Sequence, residues 1–245
     1  MGNLFVVATP IGNLNDITKR ALDTLNEVDI ILCEDTRHSL KLLNHFDIKK
    51  KLIAYHKFNE KEKVYSIIKD LKDGKNIALI TDAGTPCISD PGYILVEACI
   101  NENITVIPIG GISALITALS ASGFDIKTFT FLSFFPRDTK DKKELIKNIS
   151  NSEVRVFVFY ESPKRILKTV EYLKEELGNI KIVVCSDLTK LHERIYYGNI
   201  TQVLEQLNNN ENVELGEYTV VIEKGKSKYN LSAEEEDAIK KAMQK

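Results

Sequence analysis

Five short apolar runs punctuate the first half of the chain, each followed by a turn and, in most cases, by residues at helical spacing. They are Leu4–Ala8, Ile30–Cys33, Leu52–Tyr55, Ile77–Ile80 and Thr105–Ile107. Runs this short and this uniformly apolar suit strands buried on both faces. Strands that alternate with helices pair in parallel through right-handed crossovers. Asp16 is placed to cap a helix with apolar positions Ile17, Ala21, Leu22 and Leu25. Leu40, Leu43 and Phe46 mark a second helix, Val64–Leu71 a third that Gly74 ends, and a fourth opens at Ser113.

The pattern resets near Ser120–Lys127. Strands are expected at Phe129–Leu132, Val154–Phe159, Ile180–Cys185, Ile195–Tyr197 and Tyr218–Glu223, with helices at Lys142–Ile149, Lys164–Leu177 and Ile200–Leu207. We therefore expect two α/β domains, 1–121 and 122–226, followed by a polar tail, 227–245, in which Ser232–Glu235 reads as a capping box.

Charge and cysteine usage narrow the function classes. The 245 residues carry a net charge of -2, so a protein that coats nucleic acid by bulk charge is excluded and any RNA contact must be a local patch. The best candidate runs from Arg37 to Lys63, where eight cations, Lys49, Lys50 and Lys51 among them, face three acids. A solvated lysine-rich surface is the plain alternative. No apolar stretch reaches bilayer length, and the start lacks a signal-peptide pattern. Four separated cysteines (Cys33, Cys87, Cys99, Cys185) read as reduced thiols of a cytoplasmic protein.

In open α/β sheets ligands gather beyond the carboxyl ends of the strands, so the turns there carry the candidate chemistry. Thr9-Pro10-Ile11-Gly12-Asn13-Leu14 is neither a dinucleotide fingerprint nor a phosphate loop. It would instead wall an uncharged part of a ligand. Cys33-Glu34-Asp35-Thr36-Arg37 supplies either a base and a phosphate-binding arginine, or simply a helix cap with an ion pair. Thr81–Gly92 packs two prolines, two glycines and two aspartates into twelve residues, longer than a plain connection needs. Pro108–Ala114 offers open backbone N–H groups at a helix start. In the second half, Tyr160-Glu161-Ser162-Pro163 and the polar stretch Ser186–Arg194 gather hydroxyls, carboxylates and cations. No cluster has metal-ligand spacing.

Together, Ala8–Leu14, Glu34–Arg37, Asp82–Pro86 with Ile88–Gly92, Ser113-Ala114 with Ala118–Gly123, and Tyr160–Pro163 resemble the bacterial ribosomal RNA small-subunit methyltransferase I family. The resemblance spans about residues 4 to 225 and implies the two-domain tetrapyrrole-methylase (class III methyltransferase) α/β fold. In that fold the N-terminal sheet is mostly parallel and the C-terminal sheet mixed. It implies S-adenosylmethionine folded in the interdomain cleft. Pro10, Asp82, Ala83, Gly84, Thr85, Ile88, Ser113 and Ala114 would approach from the first domain. Tyr160, Glu161, Thr189, Lys190 and Thr219 would approach from the second. It further implies a homodimer that methylates the 2′-oxygen of a cytidine in the decoding region of small-subunit RNA, free or in the 30S subunit. Lys190, Glu161 and Glu34 are then the candidate catalytic residues, and Arg37 with Lys49–Lys51 the candidate RNA contacts. A tetrapyrrole C-methylase and a non-catalytic ribosome-associated module are the rivals.

Overall fold

A computed structural model describes residues 1–225, and the expected tail with its Ser232–Glu235 box lies outside the described residues. The chain divides into two compact units. The first comprises Met1–Thr117 together with Asp187–Glu193, and the second Ala118–Ser186 together with the described residues from Arg194 on.

The first unit contains β1 (Leu4–Val7), α1 (Lys19–Glu27), β2 (Ile30–Cys33), α2 (Thr36–His45), β3 (Lys51–Ala54), α3 (Glu60–Lys72), β4 (Ile77–Leu79), α4 (Tyr93–Asn101) and β5 (Val106–Ile109), and it leads into α5 (Ala114–Ala121). All five strands are parallel, in the order β3-β2-β4-β1-β5. Alternation along β2 explains why the runs are apolar throughout. Ile30 and Leu32 pack with Ile67, Leu71 and Leu95 on the α3–α4 face, whereas Ile31 and Cys33 pack with Leu25 and Leu43 on the α1–α2 face.

Two local expectations need correction. Thr18, not Asp16, caps α1: its hydroxyl accepts from the Ala21 N–H, while Asp16 lies in a short 3-10 turn that Asn13 caps. Helix α4 had no counterpart in the sequence reading. Its segment Tyr93–Asn101 is apolar nearly all round, with Tyr93 and Ile100 exposed, so no polar face advertises it.

The second unit contains β6 (Phe129–Phe134), α6 (Thr139–Asn151), β7 (Val156–Glu161), α7 (Ile166–Leu177), β8 (Lys181–Ser186), β9 (Arg194–Asn199), α8 (Ile200–Asn208) and β10 (Tyr218–Glu223). The sheet order is β6-β7-β10-β8-β9, parallel only between β6 and β7 and therefore mixed. Its core joins Phe157, Phe159, Val184 and Ile222 to Val170 and Leu173 of α7 and Val203 of α8. No helix among the described residues is long and apolar enough to cross a membrane.

Candidate active site

Because the first sheet is wholly parallel, the turns after β1, β2, β4 and β5 all emerge at one end of it. Two of them are fused. Thr9 N–H donates to Gly84 O at 2.8 Å and Gly84 N–H donates back to Thr9 O at 3.1 Å, while the Thr9 hydroxyl donates to Thr81 O at 3.1 Å. The Pro10 turn and the Asp82–Thr85 turn thus form one wall. Gly84 sits at φ 85°, where a side chain would be strained. The rest of that loop holds further left-handed backbone at Cys87, Ser89 and Gly92, with φ 70°, 66° and 137°. Such strain in non-glycine residues costs about 1 kcal/mol or more each and persists where the surroundings over-determine the conformation. Ala83 and Ile88 are exposed on this loop, and Pro10 is buried behind it. Gly111 is required by packing, since a Cβ there would come within 2.9 Å of Ala8 Cβ, whereas a Cβ at Gly110 would meet open space. Ser113 and Ala114 follow at the start of α5.

Charge is concentrated at the ends of β2 and β4. Asp35 is the N-cap of α2: its carboxylate accepts from Arg37 N–H at 2.8 Å and pairs with Arg37 Nη2 at 2.8 Å. The arginine holds that carboxyl well below the usual range. The Asp35–Arg37 pair is therefore a cap with a local ion pair, and Arg37 points into solvent. Asp35 N–H also donates to Asp82 Oδ1 at 3.2 Å, joining the two turns. Burial pushes Glu34 up, the Asp82 charge adds to this, and His56 and Lys57 oppose it. Burial lifts Asp90 to about 6, with Glu34 and Asp82 adding to the rise and the Thr81 hydroxyl opposing it. The Glu34 and Asp82 charges thus both bear on Asp90, which was not among the residues expected at the site. Repulsion between Glu34 and Asp90, 56 positions apart in the chain, has no local sequence signal.

The segment with Thr189 and Lys190, expected on the second domain, packs with the first unit. Lys190 Nζ donates to Asp187 Oδ1 at 2.9 Å, and the turn is closed by Lys190 N–H to Asp187 O at 3.0 Å and by Thr189 N–H to Glu193 Oε2 at 2.6 Å. Asp187 and Thr189 are both left-handed, at φ 51° and 68°. The Lys190 stem crosses Gly12: a Cβ there would overlap Lys190 Cγ and stand 3.1 Å from Cε. An open groove of about 750 Å³ runs between Gly12–Asn15, His45 and Thr189–Leu191.

In the second unit, Tyr160 and Thr219 are register partners on β7 and β10. Tyr160 packs edge-on against Phe131 and Phe134. Glu161 is different. Its side chain is wholly buried and accepts from Ser162 N–H at 2.6 Å, Arg165 Nη2 at 3.0 Å and the Thr169 hydroxyl at 2.6 Å. Arg165 in turn donates to Phe135 O at 2.7 Å and Pro136 O at 2.9 Å. A carboxylate saturated by three donors anchors the Tyr160–Pro163 turn, which speaks against Glu161 as a proton acceptor or a cofactor ligand.

The expected RNA patch is divided. Lys51 lies beside Ile30, at the amino end of the sheet, whereas Cys33, which precedes Arg37, lies beside Ala54 at the carboxyl end. Lys49–Lys51 therefore belong to the opposite end of the sheet from Arg37 and the strand-end turns. Four strand residues separate the ends, roughly 10 Å.

Comparison with known proteins places this geometry in context. The family of Tetrapyrrole (Corrin/Porphyrin) Methylases matches residues 3–204. The chain is 45% identical over 222 residues to the ribosomal RNA small subunit methyltransferase I of Thermotoga maritima, covering 91% of this chain and 98% of that protein. It is 45% identical over 244 residues to the protein of that name from Haemophilus influenzae, covering 99% of this chain and 86% of that one. Among solved structures, the uroporphyrin-III C-methyltransferase of Thermus thermophilus complexed with S-adenyl homocysteine superposes with a TM-score of 0.61 at 15% identity. That match covers 90% of this chain and 97% of the other, a likeness of fold.

Proposed function

Because the chain belongs to the tetrapyrrole methylase family, and within it to the ribosomal RNA small subunit methyltransferase I family, we propose that it uses S-adenosylmethionine to methylate the 2′-oxygen of a cytidine in the decoding region of small-subunit RNA. It does so in the cytoplasm, as a homodimer, on free RNA or the 30S subunit. The observation that carries this reading is the Thr9–Gly84 clamp, which joins the turns after β1 and β4 into one glycine-opened wall beside Glu34, Asp82 and Asp90. These acceptors fit S-adenosylmethionine, whose sulfonium is cationic and whose ribose hydroxyls donate. The 45% identity to ribosomal RNA methyltransferases, against 15% to the uroporphyrin-III C-methyltransferase, favours RNA over a tetrapyrrole as the substrate.

The cofactor supplies an electrophilic methyl group on sulfur. The remaining tasks fall to this chain. A ribose hydroxyl is a weak acid, so its oxygen must be positioned and its developing negative charge met by a donor. Lys190, held by Asp187 at 2.9 Å and braced against Gly12, is that donor. An ammonium tied to a carboxylate serves as a fixed cation and hydrogen-bond donor, so its role is positional and electrostatic. Glu34 remains the carboxylate available to take the proton, with its affinity for protons raised by burial. Pro10, Asp82–Thr85, Ile88, Ser113 and Ala114 form the cofactor wall.

The test is to incubate the purified protein with S-adenosylmethionine and 30S subunits or free small-subunit RNA and analyse the nucleosides by mass spectrometry. One 2′-O-methylcytidine per RNA is expected. A methyl group on a base, or none, refutes the reading.

A further inference from the structure

We propose that Phe58 and Lys57 form a platform on which the chain stacks an unpaired base of its RNA substrate while holding the adjoining phosphate. This rests on the RNA-methylating reading above.

Phe58 is 85% exposed, in a class of side chain that is normally buried. It stands at the tip of the turn between β3 and α3, and the turn is pinned. His56 N–H donates to the Asn59 side-chain oxygen at 2.9 Å, and Asn59 Nδ2 donates to Ala54 O at 3.1 Å. Asn59 N–H and Glu60 N–H both donate to His56 O, at 2.9 and 3.0 Å. The backbone that carries the ring is therefore held in place, so little ordering of the turn is needed when it binds. Lys57 Nζ lies 5.0 Å from the Phe58 ring centroid, and the His56 ring packs at 6.1 Å. One helical turn on, Lys61 and Tyr65 are both exposed and four residues apart on α3, with Tyr65 83% exposed.

Position selects the partner. The turn follows the carboxyl end of β3, the same end as the candidate active site, and the Lys57 charge acts on Glu34. Among exposed charges here, Lys57 and Lys61 outnumber Glu62. Exposed aromatic faces interleaved with cations match a single-stranded polyanion whose bases offer π-faces. Lys49–Lys51, at the far end of the sheet, lack that proximity.

The experiment uses the full chain and a labelled single-stranded fragment of small-subunit RNA containing the target cytidine, read by fluorescence anisotropy. Phe58→Ala is expected to weaken binding by roughly tenfold. Phe58→Tyr, which keeps the ring, should bind as the wild type does, and Phe58→Leu, apolar without a ring, should not. Lys57→Gln should lower the salt slope of binding by about 1. Affinity for S-adenosylhomocysteine, measured by calorimetry, should be unchanged in all four, which verifies folding. Equal RNA affinity in Phe58→Ala and wild type overturns the proposal, as does equal weakening in the Tyr and Leu variants. Loss of a dimer on ultracentrifugation of Phe58→Ala also overturns it and assigns the ring to a protein contact. If wild type methylates RNA and Phe58→Ala matches it, only the platform falls; if wild type neither binds nor methylates RNA, the functional reading falls with it.

Discussion

The side chain of Lys190 lies across Gly12 so closely that a Cβ at Gly12 would overlap Lys190 Cγ and stand 3.1 Å from Cε. This contact couples the turn after β1 to the Asp187–Glu193 turn, 178 positions apart in the chain between Gly12 and Lys190. Gly12→Ala should therefore act through Lys190. We expect affinity for S-adenosylhomocysteine to stay within a few-fold of wild type. The methylation rate should fall by roughly 10- to 100-fold, since a displacement of an ångström at a positioned group costs that much. Single-turnover methylation at saturating RNA checks this; a wild-type rate removes the coupling.

Lys190 itself separates two roles. Arginine keeps the charge but cannot act as a base at neutral pH. With the amine paired to Asp187, we expect Lys190→Arg to retain partial activity and Lys190→Ala to lose about 100-fold or more. Activity equally absent from both variants, with cofactor binding intact, would make Lys190 the base instead.

Glu161 is expected to matter for folding. Glu161→Gln leaves Arg165 without its buried carboxylate and replaces an acceptor by a donor facing Ser162 N–H or Thr169. Breaking such a pair costs about 3 kcal/mol, which lowers the melting temperature by roughly 6–12 °C. Calorimetry measures it. An unchanged melting temperature accompanied by lost activity would restore Glu161 to the chemistry.

Asp90 imposes a pH dependence on stability. Its carboxyl, lifted to about 6 by burial and by Glu34 and Asp82, binds a proton more tightly in the folded chain than in the unfolded one. An unfolded aspartate titrates near pH 4. Between about pH 4 and 6 the native state holds more protons, so this group's contribution to stability declines as pH rises through that window. Asp90→Asn should remove that decline. At pH 7 the variant should melt roughly 2–4 °C higher, corresponding to about 1 kcal/mol after allowing for solvent screening of a half-buried group. Melting curves from pH 4 to 8 that run parallel for wild type and variant would contradict this.

Much of the molecule was legible from local pattern. Ile30–Cys33 is the clearest case: a four-residue apolar run becomes a strand packed on both faces. The Thr81–Gly92 loop announced itself by its proline, glycine and aspartate content, and it is where the left-handed backbone concentrates. Helix α4 escaped because an apolar surface all round leaves no periodicity to read.

Residues far apart in the chain were a different matter. By itself the sequence determined the parallel first sheet, the turns that bear the candidate chemistry and the family, because these follow from local periodicity and from ordered motifs. Only the tertiary structure decided which members of those turns lie together. Lys49–Lys51 and Arg37 are near neighbours along the chain, yet parallel pairing of β2 and β3 sets them at opposite ends of the sheet. Glu161 and Lys190 both looked like candidates for proton transfer. Three donors enclose the first in the core of the second unit, and the second leans on Gly12 in the first unit. Burial, charge repulsion and hydrogen-bond saturation depend on what the folded chain brings within a few ångströms, and that is a property of three-dimensional packing.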